Sequence, residues 1–154
     1  MNDDAPTGDQ AAALRLMTTC SRALRAVSEP LRRQLRQWEL SSTEFGVLEV
    51  LLHKGPLPLG ELAQRILITG ASTTYTVKQL EGRGLMRRRP CVEDHRVVYG
   101  ELTEAGRALI AEVFPAHAAE MRRLMGGLST EEKRVAADLM KRLGVAAAAL
   151  GDAE

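Results

Sequence analysis

Aromatic residues and cysteines are scarce in this sequence. Its 154 residues include only two Phe, two Tyr and one Trp, so the core has to be built mainly from Leu, Val, Ala, Met and Ile, side chains that suit helices. The two cysteines, Cys20 and Cys91, lie far apart in the sequence and form no CxxC pair. We therefore expect a mainly helical protein without a structural disulfide.

Several features that mark other protein classes are also missing. No apolar run approaches the roughly 18 residues of a membrane helix, and the polar N-terminus MNDDAPTGDQ resembles no targeting peptide, so we expect a cytoplasmic protein with no membrane partner. There is no glycine-rich phosphate loop, no GxSxG, no HExxH and no clustered acid pair, which predicts neither enzymatic activity nor a cofactor. The dispersed histidines His53, His95 and His117 predict no metal site.

Positive charge is concentrated in one part of the chain. The net charge is only +1, yet five arginines lie between positions 83 and 96, against Glu93 and Asp94. This local excess predicts a phosphate-binding patch, and the alternative is a solvated charged hairpin. The five are Arg83, Arg87, Arg88, Arg89 and Arg96.

The N-terminal part of the chain predicts one long helix. We expect residues 1–9 to form a disordered tail and residues 10–40 to form a dimerisation helix. Its apolar residues recur at alternating steps of three and four, which is typical of a helix that packs against other helices or a partner chain. Pro30 should kink or interrupt it. The apolar stripe comprises Leu14, Met17, Leu24, Leu31, Leu35 and Trp38.

The middle segment, residues 41–103, predicts a DNA-binding lobe. Ser41 and Glu44 form a capping box that opens a second helix. Two further helices joined by a tight turn follow, and the second is rich in small hydroxyl residues, which is the pattern of a helix-turn-helix. Two short strands after it predict a β-hairpin wing. We place the two helices at about 60–67 and 71–82, and the strands at 85–89 and 97–102.

Residues 104–150 predict C-terminal helices for dimerisation. Thr103 can cap the first of them, and Ser129 with Glu132 forms a second capping box. The last helix carries an apolar row with no obvious partner in a compact core, so we expect a second copy to cover it. The fold class is thus mainly α, a winged helix-turn-helix with about six helices and a two-stranded wing. The row comprises Val135, Leu139, Leu143, Ala146 and Leu150.

Three motifs make residues 41–108 resemble the MarR family of bacterial winged-helix regulators. They are RGLMRR at 83–88, EDHR at 93–96 and LTEAG at 102–106. The last two reproduce the D-x-R and L-T-x-x-G patterns of the family at the expected spacing. The resemblance implies a homodimer that binds palindromic double-stranded DNA, with half-site centres about 10 base pairs apart, and repression as the usual mode of action.

The resemblance also implies which residues touch DNA. The hydroxyl-rich helix would enter the major groove and Arg96 the adjacent minor groove, with Asp94 holding the Arg96 guanidinium in place. Neighbouring strand residues point to opposite faces, so the phosphates would meet either Arg88 alone or both Arg87 and Arg89. The helix candidates, whose alternative is ordinary helix surface, are Ser72, Thr73, Thr74, Tyr75, Thr76 and Lys78.

Members of this family are commonly switched by a small phenolic or other aromatic ligand, or by cysteine oxidation. Cys20 lies near the reactive cysteine of the peroxide-sensing branch, with a buried place in the helix seam as the alternative. Cys91 lies beside three arginines, and its PCxED context is similar to a branch that responds to quinones. A ligand cleft between dimer helices and lobe would be lined by Met17, Trp38, Phe45, His53 and His117, for which the alternative is ordinary core packing.

The same fold could instead serve as a protein–protein interaction module without specific DNA binding. An acidic or apolar recognition helix would favour that alternative. The helix at 71–82 is polar, nearly neutral and rich in hydroxyl groups, which favours DNA.

Overall fold

The structure, a computed structural model, describes residues 7–66, 70–94 and 96–151, with only the backbone at 70–72. The chain divides into two compact units between residues 120 and 121. The described residues form six α-helices, one 3-10 turn and a three-stranded sheet, and none of these helices is long and apolar enough to cross a membrane. The predicted winged helix-turn-helix architecture is confirmed.

The first helix, α1 (Gly8–Leu35), begins earlier than predicted. The Thr7 hydroxyl accepts a hydrogen bond from the Gln10 amide at 3.4 Å, and the Gln10 side chain accepts one from the Thr7 amide at 2.8 Å. This capping box was not recognised in the sequence, so the expected disordered tail is wrong for residues 7–9. The prediction for residues 1–6 lies outside the described residues. Helix α1 also continues through Pro30 without interruption, because its last turn is held by the buried residues Leu31 and Leu35.

Helices α2 (Ser42–Lys54), α3 (Leu59–Arg65) and α4 (Gly70–Gly82) form the helix-turn-helix lobe. The predicted capping box of α2 is confirmed, with the Ser41 hydroxyl and the Glu44 carboxylate each accepting the other residue's amide. The 3-10 turn Arg36–Trp38 joins α1 to α2. The tight turn between α3 and α4, including residues 67–69, lies outside the described residues.

The sheet has one strand more than predicted. Strands β2 (Met86–Pro90) and β3 (Val98–Leu102) pair antiparallel as the wing, and β1 (Leu57–Pro58) joins the free edge of β3. The predicted two-stranded wing is confirmed, and only the short strand β1 was not predicted. Two residues, one of them a proline, are too few to show the period-two alternation by which strands are recognised.

The core of the first unit is aliphatic, as the composition predicts. Phe45 is its only buried aromatic residue among the described positions, and the two partly buried aromatic side chains Trp38 and Phe114 pack at its edge. The buried core comprises Leu35, Leu40, Phe45, Val47, Leu48, Leu51, Leu62, Val77, Leu80, Leu85, Met86, Leu102, Ile110 and Val113.

Helix α5 (Glu104–Leu124) starts in close contact with the root of the wing. The Thr103 hydroxyl accepts a hydrogen bond from the Gly106 amide at 3.0 Å and donates one to the Gly84 carbonyl at 2.6 Å. A Cβ added to Gly106 would lie 1.9 Å from the Leu85 carbonyl oxygen. These contacts explain why the L-T-x-x-G motif has a threonine at position 103 and a glycine at position 106.

Helix α6 (Thr130–Gly151) belongs to the second unit and has no buried residue among its described positions. The predicted capping box at its start is confirmed, because Ser129 and Glu132 each accept the other's amide. The hydrogen bond from the Ser129 amide lowers the pKa of the Glu132 carboxyl. The apolar row of α6 is exposed in the single chain, as are Leu14, Met17 and Leu24 of α1.

Candidate nucleic-acid interface

Helix α4 turns two of the predicted contact residues towards the core. Thr73 and Thr76 are buried with Val77 and Leu80, at the spacing of one helix face. The prediction that these two threonines lie at the surface and contact DNA is therefore wrong. The sequence pattern counted only Val77 and Leu80 as inward-facing, whereas a threonine methyl group can fill a core position as well. The side chain of Ser72 lies outside the described residues and stays a prediction.

The exposed face of α4 presents hydrogen-bonding groups of several kinds. It carries a hydroxyl from Thr74, a phenol from Tyr75, which is 66% exposed, and an ammonium group from Lys78. Gln79 is also exposed, and it was not among the predicted contacts although its amide can pair with an adenine edge. Such a face can bind both phosphates and base edges in a DNA groove.

The tip of the wing holds an ion pair that the sequence predicts. The Asp94 carboxylate accepts hydrogen bonds from the Arg96 amide at 3.0 Å and from its Nε and Nη2 at 3.2 and 3.4 Å. These bonds lower the pKa of the Asp94 carboxyl, so it stays ionised at neutral pH. Because the Arg96 side chain is 92% exposed, its guanidinium is oriented and still accessible. His95, between the two residues, lies outside the described residues.

The three arginines of β2 are all paired with glutamates. Arg87 and Arg89 point to the same face and bind Glu101 of β3, while Arg88 points the other way and its Nε lies 3.1 Å from a carboxylate oxygen of Glu81 on α4. The predicted alternation of the strand is confirmed. Neither glutamate partner was predictable from the sequence, because both pairings depend on how separate elements are packed.

The guanidinium of Arg83 contacts the helical body of the lobe, away from the wing arginines. Its guanidinium donates hydrogen bonds to the carbonyls of Glu39 at 2.8 Å and Trp38 at 3.3 Å, and it approaches the Glu44 carboxylate at 3.5 Å. These contacts join the end of α4 to the junction between α1 and α2. Glu39 has a left-handed backbone, with φ of 55°, at this junction.

The predicted ligand-binding residues do not all meet in one cavity. Phe45 and His117 do, with ring centroids 4.2 Å apart beside a cavity of about 260 Å³. Met17 is 69% exposed on α1, Trp38 donates a hydrogen bond to Glu112, and His53 packs on Phe114. In the single chain Met17, Trp38 and His53 do not line this cavity, and their part in a ligand cleft of the dimer stays a prediction. The other lining residues are Ser28, Leu31, Leu35, Ser42, Gly46 and Glu49.

His117 carries the polar character of this cavity. Burial lowers the pKa of the imidazole, and the nearby Glu49 carboxylate partly offsets the shift. The Nδ1 atom is buried and makes no hydrogen bond to any described residue. A neutral imidazole with one unused polar atom can bind the hydroxyl group of a small molecule.

The two cysteines are partly exposed at separate places. Cys20 lies in the middle of α1 and is partly exposed in the single chain, and its place in a buried helix seam stays a prediction. Cys91 follows β2 directly, and its amide binds the Val97 carbonyl at 2.9 Å, which closes the wing turn. The redox role of either thiol stays a prediction.

Comparison with known proteins gives one consistent relationship. The family model described as "MarR family" matches residues 40–98. The transcriptional regulator MhqR of Bacillus subtilis, of the helix-turn-helix type, is 37% identical over 133 residues, which cover 86% of this chain and 92% of MhqR.

Solved structures share the fold of this protein over most of the chain. Sco3205 of Streptomyces coelicolor, a MarR family regulator solved in complex with DNA, superposes with a TM-score of 0.79 at 24% identity, over 92% of this chain and 91% of Sco3205. BpsR of Bordetella bronchiseptica, whose DNA binding is regulated by 6-hydroxynicotinic acid, gives a TM-score of 0.68 at 24% identity, over 82% of this chain and 98% of BpsR.

Proposed function

Because this chain belongs to the MarR family of DNA-binding transcriptional regulators, which are not enzymes, we propose that it is a homodimeric repressor of a palindromic operator. The observation that carries the proposal is the pair of exposed, polar elements in one lobe. One is the outer face of α4, and the other is the Arg96 guanidinium held by Asp94. The DNA complex of the similar protein Sco3205 supports it.

In this proposal α4 lies in the major groove and the wing tip in the adjacent minor groove. Thr74, Tyr75, Lys78 and Gln79 supply hydrogen bonds to base edges and phosphates. Arg96 enters the minor groove, where the negative potential attracts a guanidinium. Asp94 lowers the entropic cost of that contact, because it already restricts the rotamers of the arginine side chain.

The homodimer is supported by the apolar surface of the single chain. The row on α6 and the N-terminal half of α1 both expose large aliphatic side chains, which a soluble regulator normally covers. A second copy of the chain is the partner that the family relationship favours. A two-fold dimer presents two α4 helices, and that symmetry is the reason for a palindromic operator.

A small aromatic effector is supported by the cavity beside Phe45 and His117. An aromatic ring can stack on these two side chains, and a hydroxyl group on it can bind the buried Nδ1 of His117. BpsR, which has the same fold, responds to a hydroxylated aromatic acid. A ligand that favours one arrangement of the lobes over another shifts the population that fits DNA. An electrophile that modifies Cys91 in the wing is the second route to release.

We expect Arg96→Ala to weaken operator binding by about 1–3 kcal/mol, because a groove-reading arginine is lost while the dimer is untouched. The test is fluorescence anisotropy with the duplex that the wild-type protein enriches from a random-sequence pool, against a scrambled duplex. Arg134→Ala is the matched control, since it removes the same charge from α6. Equal affinities of wild type and Arg96→Ala would refute the role of the wing. Equal binding of wild type to both duplexes would refute a specific regulator and favour a protein partner.

We expect phenolic compounds and quinones to release the protein from DNA by separable routes. His117→Phe removes the polar atom and fills part of the cavity, so release by simple phenols should disappear. Cys91→Ser leaves the cavity intact, so only release by quinones should disappear. The same anisotropy assay measures both, and basal DNA binding of each variant is the control. Phenol release that persists in His117→Phe would contradict the cavity, and quinone release that persists in Cys91→Ser would contradict the thiol.

A further inference from the structure

Glu101 is the one charged residue that the described part of the chain buries. It lies on β3 directly opposite Arg87, in a register where Arg89 faces Tyr99. One carboxylate oxygen accepts a hydrogen bond from Arg87 Nε at 2.6 Å, and the other accepts one from Arg89 Nε at 3.2 Å. A single carboxylate therefore holds two arginines of the wing at once.

The two arginines remain available to DNA despite this pairing. The Arg87 side chain is 70% exposed and that of Arg89 is 49% exposed. The bonds to Glu101 engage only the Nε of each guanidinium, which leaves the four N–H groups on Nη1 and Nη2 outside these bonds. The Arg89 guanidinium also lies 5.2 Å from the centre of the Tyr99 ring, which further restricts it.

Glu101 changes both the charge and the mobility of this surface. It cancels one of the two positive charges, and it fixes the direction in which each guanidinium points. Free arginines attract any duplex, because counterion release does not depend on base sequence. Oriented arginines whose net charge is reduced bind well only where phosphates lie at matching positions. At such positions an oriented side chain loses less conformational entropy on binding.

We propose that Glu101 is a positioning residue that sets how strongly the protein discriminates its operator from other DNA, an inference that rests on the proposed function. Glu101 weakens binding to all DNA by reducing charge. On the operator alone, Glu101 offsets part of this loss of affinity, because it already orients Arg87 and Arg89 for binding. The discrimination ratio, not the affinity for the operator, is therefore the quantity that Glu101 controls.

The test is Glu101→Gln, which keeps the shape of the side chain but removes its charge. Its amide has one acceptor oxygen in place of two, so it cannot reproduce both bonds in the geometry of the carboxylate. We expect the slope of log K against log salt concentration to steepen by about 0.9, the value for one more phosphate contact. We expect affinity for the scrambled duplex to rise roughly five-fold and that for the selected duplex by less than about two-fold, so the ratio falls.

Two controls separate this role from a general effect of charge or of folding. Glu29→Gln removes a carboxylate paired with Arg32 on α1, so it should leave slope and ratio unchanged. Glu101→Asp retains the charge, so its slope should equal that of the wild type. If Glu101→Gln does not fold, the exposed Arg87→Gln addresses the same pair, and it should lower affinity for the selected duplex more than for the scrambled one.

The outcomes distinguish this inference from the proposed function. An unchanged slope in Glu101→Gln, with equal losses on both duplexes, would mean that Glu101 only stabilises the hairpin and would overturn the inference alone. The same holds for Arg87→Gln if it weakens binding to both duplexes equally. A wild-type protein that enriches no duplex from the random pool would overturn the proposed function and this inference with it.

Discussion

Gly106→Ala should destabilise the first unit by about 3 kcal/mol, near the upper end of what overpacking costs. The new Cβ would lie 1.9 Å from the Leu85 carbonyl oxygen, a contact with backbone on both sides that no change of rotamer can relieve. Either the start of α5 or the root of the wing has to move. Movement there would also break the hydrogen bonds that Thr103 makes to Gly84 and Gly106.

Urea and thermal denaturation followed by circular dichroism measure this effect, and a chain of this size should lose roughly 6–12 °C in Tm. Gly46→Ala is the matched control, because it makes the same change inside α2. The nearest atom to its Cβ would be the Ile66 Cγ2 at 3.6 Å, an ordinary contact. Since alanine is the better helix former, Gly46→Ala should stabilise by about 0.5–1 kcal/mol. A Gly106→Ala variant as stable as the wild type would contradict the packing described at this position.

Replacing Leu139 and Leu143 together by aspartate should convert the proposed dimer to a monomer. Both side chains are about half exposed in the single chain, in the apolar row of α6. In the proposed dimer each copy would bury two charges there without a partner, at a cost that the interface cannot offset. Loss of the second half-site contact should then weaken operator binding by about 10²–10⁴-fold, the usual gain from bivalent attachment.

Sedimentation equilibrium measures the change of mass, and anisotropy on the selected duplex measures the loss of affinity. The matched control is the pair Ala137→Asp and Ala148→Asp, which introduces the same groups on the opposite side of α6, as the helical repeat of 3.6 residues requires. That control should stay dimeric. A Leu139→Asp, Leu143→Asp variant that sediments as a dimer would show that another surface holds the two copies together.

The features that were predicted correctly are those encoded within a few residues. The capping boxes at Ser41 and Ser129 and the Asp94–Arg96 pair each depend on groups two or three positions apart, so the sequence alone specifies them. The helix-turn-helix followed by a hairpin was predictable for the same reason. Its elements are consecutive, and each carries its own periodicity.

Apart from the capping box at Thr7, the features that were missed depend on contacts between distant elements. Glu81 and Glu101 bind the arginines of β2 only because α4 and β3 are packed beside that strand. The burial of Thr73 and Thr76 was missed because threonine is compatible with either environment, and only packing decides between them. The ligand-site candidates were chosen by residue type along separate helices, which cannot show that only Phe45 and His117 line one cavity.

The hydrogen bonds of Thr103 join the two ends of the wing where it meets the helices. The Thr103 amide binds the Leu85 carbonyl at 3.2 Å and its hydroxyl binds the Gly84 carbonyl, so the chain leaves and re-enters the helical body at a single point. Because closing a loop costs only slightly more as it lengthens, residues inserted at the tip would extend the hairpin without displacing the helices on either side. A wing of different length could therefore be accommodated without a change in the body of the lobe, and the tip is the place to graft a different DNA-contacting segment.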